Sequence, residues 1–349
     1  MDEIISPNKI KSKNCRNLKY KTYEIFHKEH LGKLLQIGNE FIKMDNFPSE
    51  NNSFYERDDE KGWWMATKQM LIRSYINLYL NVWNGQENPP KLYFIDALSS
   101  YGMNKNTKNL KKDVFIFPGT ALNALECCQR DGLIIRFNKI YANDFDLTKR
   151  TILSKRFSIL NSNIKYPIKT QIPDQVCNNV DSNLWLIEVM SDISKDTTSS
   201  KCNYLLVIDN QGMDIKFETI KKIREFDRIG EYGDIIITYQ DQAFARKSAT
   251  NAAEEFYGSK IVGEKTREEL RELYMSNLRK IGFMRIEYIE IKSAKFYYTL
   301  LFCCRKADSK WLEMIKKYKD SRYNNWTDNS VKSFWNILMG KQQQLTNFL

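Results

Sequence analysis

Three aspartates close three apolar runs, and each stands where a carboxylate can do chemistry. Asp96 ends LYFID, Asp144 follows KIYAN, and Asp209 ends NYLLVID. A buried strand that delivers its last side chain to a sheet edge fixes that side chain in space. A short carboxylate held there accepts hydrogen bonds from hydroxyls, amines or an ammonium group. Asp96 leads into Ala97, Ser100 and Gly102, a loop with a single glycine. Asp144 reads as the acceptor for a pair of ribose hydroxyls or, with Asp146, as the cap of a helix starting near Leu147. Asp209 opens Asp209-Asn210-Gln211-Gly212. This tetrapeptide has two readings. In one, Asp209 orients an exocyclic amine while Asn210 and Gln211 read a base edge. In the other it is a turn with Gly212 at positive φ, leading into the next helix. Other reactive sets are poorly represented. The seven cysteines include two adjacent pairs and no CxxC, and the two histidines, His27 and His30, stand without ligand partners in the sequence, so neither a metal site nor a disulfide framework is expected.

The elements that must position these residues follow from periodicity. Residues 63–83, WWMATKQMLIRSYINLYLNVW, carry apolar side chains at helical spacing and stop at Asn84-Gly85. Strand 92–97 follows, then a helix over 119–130, strand KIYANDFD, a helix over 147–160 and a short strand near 166–171. A helix over 178–193 precedes NYLLVIDNQG, the strongest strand pattern in the chain, and a helix over 215–229 leads to DIIITYQ. Strands alternating with helices imply a doubly wound, mostly parallel sheet covered on both faces. The ligand of such a sheet lies beyond the carboxyl ends of its strands, where the three aspartates fall. A charged helix over 264–281 then ends at Gly282, and FMRIEYIEI and KFYYTLLFCC form a close antiparallel pair.

In element order the chain resembles S-adenosylmethionine-dependent methyltransferases, whose Rossmann-like sheet ends in such a hairpin. The resemblance implies that Asp96, Ala97, Ser100 and Gly102 wrap the methionine part of the cofactor, that Asp144 holds the ribose, and that the loop containing Asp174 lies near the adenine. It also aligns Asp209 to Gly212 with the Asp/Asn-Pro-Pro-aromatic motif of amino methyltransferases, here keeping the acid but neither proline nor the aromatic residue. From about residue 63 to 305 the chain is similar to the three-Cys-motif partner proteins, a prokaryotic family with a methyltransferase-like fold. The segments that carry this likeness are WWMATKQML, FIDALSSYG, FPGTAL, IDNQGMDI, DIIITYQDQAFAR, LYMSNLRKIGF and YYTLLF. Ser-Ser-Tyr and Asn-Gln stand where that family tends to have Ala-Gly-Pro and Pro-Phe. A three-Cys-motif protein is the partner the likeness implies.

The segment QQQLTNFL is different in kind. Gln342, Leu345, Phe348 and Leu349 fit the pattern of peptides that dock on the PCNA sliding clamp. One short 3₁₀ turn would bring Leu345, Phe348 and Leu349 into an apolar pocket while Gln342 hydrogen-bonds beside it. Its position at the end of the chain looks archaeal. The net charge of +11 favours a polyanionic partner. Arg246 and Lys247, after the fifth core strand, are the candidate DNA contacts nearest the site.

The sequence lacks the roughly 18-residue apolar run of a membrane span and the apolar stretch of a secretory signal, so a cytoplasmic, nucleoid-associated protein is expected. The expected organisation is an accessory region over 1–60, a methyltransferase-like domain over 61–305, a helical extension over 306–340 and the clamp peptide over 341–349. The expected function is adenine-N6 methylation of double-stranded DNA. An acid after the fourth strand suits an exocyclic amine, whereas methylation at cytosine C5 needs a cysteine nucleophile, usually in a Pro-Cys pair, and none lies there. An RNA or protein methyltransferase and a non-catalytic clamp adaptor are the alternatives.

Overall fold

A computed structural model of the chain describes residues 32–34, 36–44, 55–57, 64–84, 87–106, 115–125, 128–130, 133–163, 169–173, 179–196, 201–226, 229, 233–241, 251–292, 297–304 and 326–327. Asp174, Arg246, Lys247 and the 341–349 peptide lie outside the described residues.

The main sheet is built from β2 (Lys91–Asp96), β7 (Lys139–Ala142), β8 (Lys169–Gln171), β9 (Cys202–Ile208), β10 (Gly233–Tyr239), β11 (Arg285–Lys292), β12 (Tyr297–Cys304) and the two-residue β13 (Trp326–Thr327). Its spatial order is β13-β11-β12-β10-β9-β2-β7-β8. Strands β8, β7, β2, β9 and β10 run parallel, and β12 is antiparallel to both β10 and β11. This is the doubly wound sheet with a terminal antiparallel hairpin expected of the Rossmann-like methyltransferase arrangement. The chain leaves β2 for β7 and β8 on one side, then returns to β9 on the other. The switch point therefore lies between Asp96 and Asp209.

Alternation along the central strands fills two cores. Phe94, Leu205, Val207 and Ile236 face the helices α1 (Trp64–Asn84), α2 (Thr120–Leu125) and α3 (Leu147–Asn163). Tyr93, Ile95, Leu206, Ile208 and Ile237 face α4 (Ser182–Asp196), α5 (Phe217–Glu225), α6 (Asn251–Tyr257) and α7 (Arg267–Lys280). Every residue of β9 and β10 is buried, as a strand covered on both faces requires. At about 25 cal/mol per Å² of apolar surface, such strands carry much of the folding free energy.

Helix α7 begins with a capping box. Thr266 Oγ1 accepts from the Glu269 backbone N–H at 3.2 Å, and Glu269 Oε2 accepts from the Thr266 N–H at 2.7 Å. It ends where Gly282 takes a φ of 101°, open to glycine at little cost. Thr266→Ala removes one arm of the box and is expected to lower stability by about 1 kcal/mol, read as a shifted urea midpoint with an unchanged slope.

Two elements differ from the sequence-based expectation. The helix from 119 stops at Leu125, and Cys128–Arg130 forms β5, paired antiparallel with β6 (Leu133–Ile135). Asp131-Gly132, a dipeptide favoured between hairpin strands, separates the two in sequence. A small second sheet joins β1 (Glu56–Arg57), β3 (Met103–Asn106) and β4 (Phe115–Pro118) in the order β1-β3-β4. Upstream of it, Leu34 and Phe41 are fully buried in the α1 core, and Gly38 lies so close to the Ile116 carbonyl that a Cβ would overlap it. No helix among the described residues is long and apolar enough to cross a membrane.

Candidate active site

The carboxyl ends of β2, β7 and β9 are knitted together by backbone hydrogen bonds. Asn143 N–H donates to the Asp96 carbonyl at 3.0 Å, Ser99 N–H to the Asn143 carbonyl at 2.7 Å, and Ala97 N–H to the Val207 carbonyl at 3.3 Å. Ser182, at the start of α4, donates its hydroxyl to the Ala97 carbonyl at 2.8 Å and receives the Asn143 side-chain amide at 3.1 Å. Ala97 thus contributes its backbone to the frame.

Beyond Asp96 the loop turns through two left-handed residues, Ser100 (φ 51°) and Gly102 (φ 76°). For a serine this conformation costs on the order of 1 kcal/mol. Its compensation is visible, because the Ser100 N–H donates to Asp144 Oδ2 at 3.0 Å. Gly102 accepts the Gly119 N–H at 2.7 Å, so the loop leads back to the start of α2. Two fully buried arginines of α3 strut these loops. Arg150 donates to the Asp144 and Phe145 carbonyls, both at 2.8 Å, and Arg156 donates to the Tyr101 carbonyl at 2.9 Å while covering the Tyr55 ring. Sequence reasoning missed both. Their signal was faint: basic residues on the apolar stripe of α3, where apolar side chains would be expected.

The three aspartates meet different fates at this edge. Asp96 is fully buried; Oδ1 accepts the Leu98 N–H at 3.3 Å and Oδ2 has no partner among the described residues. Burial, with the Asp209 carboxylate nearby, pushes its pKa from 3.8 up to about 7. Asp144 is almost as deeply placed. Its Oδ1 accepts the Asp146 N–H at 3.0 Å and its Oδ2 the Ser100 N–H, which leaves lone pairs on both oxygens. Burial raises its pKa as well. The helix-cap role belongs to Asp146, whose Oδ1 receives the Lys149 N–H at 3.0 Å.

Asp209 is held from two further elements. Lys68 Nζ, on the first turns of α1, reaches Oδ1 at 2.8 Å and Oδ2 at 2.6 Å, and Thr238 Oγ1 of β10 donates to Oδ1 at 2.7 Å. Both members of the ion pair keep a small exposed fraction, 13% for the Lys68 side chain and 18% for that of Asp209. Next along the chain, Asn210 is buried, its carbonyl accepts the Gln240 amide at 3.1 Å, and neither side-chain amide atom has a partner among the described residues. Beside Lys68, Gln69 joins Thr120 and Asn123 of α2 in a buried amide–hydroxyl cluster.

The turn after Asp209 is built differently from the expectation. Gly212 lies outside the left-handed region, which corrects the positive-φ reading. Asp214 Oδ2 accepts the Gln211 N–H at 3.1 Å and the Gly212 N–H at 2.9 Å. A carboxylate two to three residues downstream closes the turn, so glycine's conformational range is not needed there. The structure brings Asp96, Ala97, Ser100, Gly102, Asp144, Asp209 and Asn210 to one edge, with Gln211 and Gly212 on the turn that leaves it.

At the far side of this edge Asp241 follows β10. Its carboxylate accepts from Arg271 at 2.9 Å and Thr299 at 2.7 Å, and Arg271 also holds Glu290 at 2.8 Å. These bonds lock α7 onto β10 and the hairpin, which makes Asp241 an anchor rather than a second reactive acid.

No protein-family model matches the chain, and no curated protein matches it. Solved structures do. Protein LPL1258 from Legionella pneumophila aligns at 12% identity over 73% of this chain and 91% of that one, with a TM-score of 0.46. The O-methyltransferase from Bacillus cereus, solved with SAH, aligns at 9% identity over 80% and 91%, with a TM-score of 0.36. Trm1 from Pyrococcus horikoshii, solved with S-adenosyl-L-methionine, aligns at 13% identity over 68% and 56%, with a TM-score of 0.35.

Proposed function

We infer that this chain is an S-adenosylmethionine-dependent methyltransferase that modifies an exocyclic amine of double-stranded DNA, adenine N6 in the first instance, and that it is brought to DNA by the PCNA sliding clamp. The observation that carries the reading is the convergence of Asp96, Asp144 and Asp209 at the switch point, with Asp96 Oδ2 buried and unpartnered among the described residues. A buried carboxylate oxygen without a donor is costly unless a ligand supplies one. The ammonium of an amino acid moiety fits that requirement, and the open lone pairs of Asp144 suit two ribose hydroxyls.

When bound, the cofactor supplies a methyl group on a sulfonium, a strong electrophile. The chain's own residues then place the acceptor. Asp209 Oδ2 and the Asn210 carbonyl accept the two N–H groups of an exocyclic amine, which turns the nitrogen lone pair toward the methyl. The net charge of +11 supports a nucleic-acid substrate, and Arg246 and Lys247 are its proposed contacts. Gln342, Leu345, Phe348 and Leu349 carry the clamp proposal, in which tethering raises the effective concentration on DNA.

The test is methyl transfer from labelled cofactor to unmethylated duplex DNA, with and without clamp, followed by nucleoside mass spectrometry. N6-methyladenine formed faster with clamp is the expected product. Label in RNA or protein alone would reassign the substrate, and tight clamp binding without cofactor binding would leave an adaptor. Phe348→Ala is expected to weaken clamp binding by about 100-fold, the loss of a buried aromatic anchor, while clamp-free transfer is unchanged.

A further inference from the structure

We propose that Lys68 is a positioning residue for methyl transfer: it fixes the Asp209 carboxylate so that one acceptor position, on Oδ2, is turned to the incoming amine. The proposal rests on the methyltransferase reading and extends it to a residue on a helix outside the three strand-end loops.

The argument is geometric. A carboxylate offers about four acceptor positions, two per oxygen. Lys68 Nζ engages both oxygens, at 2.8 and 2.6 Å, and Thr238 Oγ1 takes a second position on Oδ1 at 2.7 Å. Among the described residues three positions are filled and one remains, on Oδ2. The donors come from α1 and β10 while the acid follows the last residue of β9, so the carboxylate is held from three directions and cannot rotate about its last bond without breaking an ion pair. Lys68 is itself tied down: it sits between Thr67, fully buried, and Gln69, which is locked to Thr120 and Asn123.

An ion pair this enclosed is costly to assemble if stability is its only role, because two charges lose hydration. Close to Asp96, whose own carboxyl is pushed up by burial, a single unneutralised Asp209 would add a second negative charge to the same small volume. Lys68 cancels that charge. Asp209 then works as a directional acceptor: the amine nitrogen forms its bond to the methyl carbon, the sulfur–methyl bond breaks with its electron pair kept by sulfur, and the nitrogen's surplus proton leaves to water.

Single-turnover methyl transfer to duplex DNA and cofactor affinity are measured for the wild type, Lys68→Ala, Lys68→Arg, Asp209→Ala and the double variant. Lys68→Ala is expected to slow transfer by about tenfold or more, with the KM for DNA and the cofactor Kd changed by less than about threefold. Lys68→Arg recovers most of the rate, since a guanidinium can engage the carboxylate through two donors. The double variant is no slower than Asp209→Ala, because Lys68 acts through that acid. Lys68→Met, which keeps the aliphatic stem, replaces Lys68→Ala if the alanine variant does not fold. Transfer by Lys68→Ala or Lys68→Met within about threefold of wild type, or failure of Lys68→Arg to recover any rate, overturns the proposal and leaves the methyltransferase reading standing. A wild-type chain that binds cofactor and transfers no methyl to nucleic acid overturns that reading and this inference with it.

Discussion

Asp96→Asn is expected to weaken cofactor binding by about 100-fold and, at pH 8, to make the ligand-free protein more stable. Both effects come from the same buried oxygen. Asp96 is 0% exposed, and burial raises its pKa from 3.8 to about 7. Between about pH 4 and pH 7 the folded protein keeps a proton there that the unfolded chain has already released. That contribution to stability is fully present below pH 4 and is lost as pH rises through 7. Above pH 7 the folded state carries a buried charge whose cost is on the order of a few kcal/mol. Asparagine keeps the acceptor for the Leu98 N–H and carries no charge, so the variant's urea midpoint exceeds that of wild type at pH 8, and the two converge toward pH 4. Isothermal titration with S-adenosylmethionine is expected to show the opposite sign. Wild-type affinity rises with pH through 7 as Asp96 ionises to receive the ammonium group, whereas the variant binds about 100-fold more weakly and without that pH dependence. Equal affinities for the two proteins would remove Asp96 from the cofactor site.

Asp209→Ala is expected to lower methyl transfer by at least about 100-fold while cofactor affinity stays within about threefold of wild type. In the proposed site the acid receives the methyl acceptor and not the cofactor, so its loss is expected to affect the transition state rather than cofactor binding. It also strips Lys68 and Thr238 of their shared acceptor. With the Lys68 side chain 13% exposed, leaving it unpaired costs about 1–3 kcal/mol. A second change, Lys68→Met, should restore much of that stability and none of the rate. The pair of measurements therefore separates the structural role of the ion pair from the role of Asp209 in transfer. If Asp209→Ala transfers methyl as fast as wild type, the amine is held elsewhere at the edge.

Much of the scaffold could be read from local patterns. LYFID, KIYA and NYLLVI are short apolar runs bounded by polar residues, and hydrophobic periodicity reports such strands because burial on both faces leaves no polar positions inside them. The same patterns placed Asp96, Asp144 and Asp209 at strand ends, and the close terminal hairpin gave the antiparallel strand its place. The Gly282 stop of α7 was equally local.

Features that depend on distant partners were invisible to this reading. β1, β3 and β4 are short and carry no alternation, so their pairing was decided by what packs over them, including Gly38 against Ile116. The turn at Gly212 was set by the Asp214 side chain, which overrode the usual expectation for glycine. Arg150 and Arg156 fall among the apolar residues of α3, and only the fold supplies the loop carbonyls that satisfy them.

The sequence by itself determined where three carboxylates would stand, because strand periodicity is a short-range property and a doubly wound sheet presents its strand ends along one edge. Only the tertiary structure decided what those carboxylates face: one oxygen of Asp96 without a donor among the described residues, and Asp209 paired with a lysine 141 residues away. A contact over that separation leaves no local pattern, because it is formed by the packing of α1 on the sheet and by nothing in the neighbourhood of either residue.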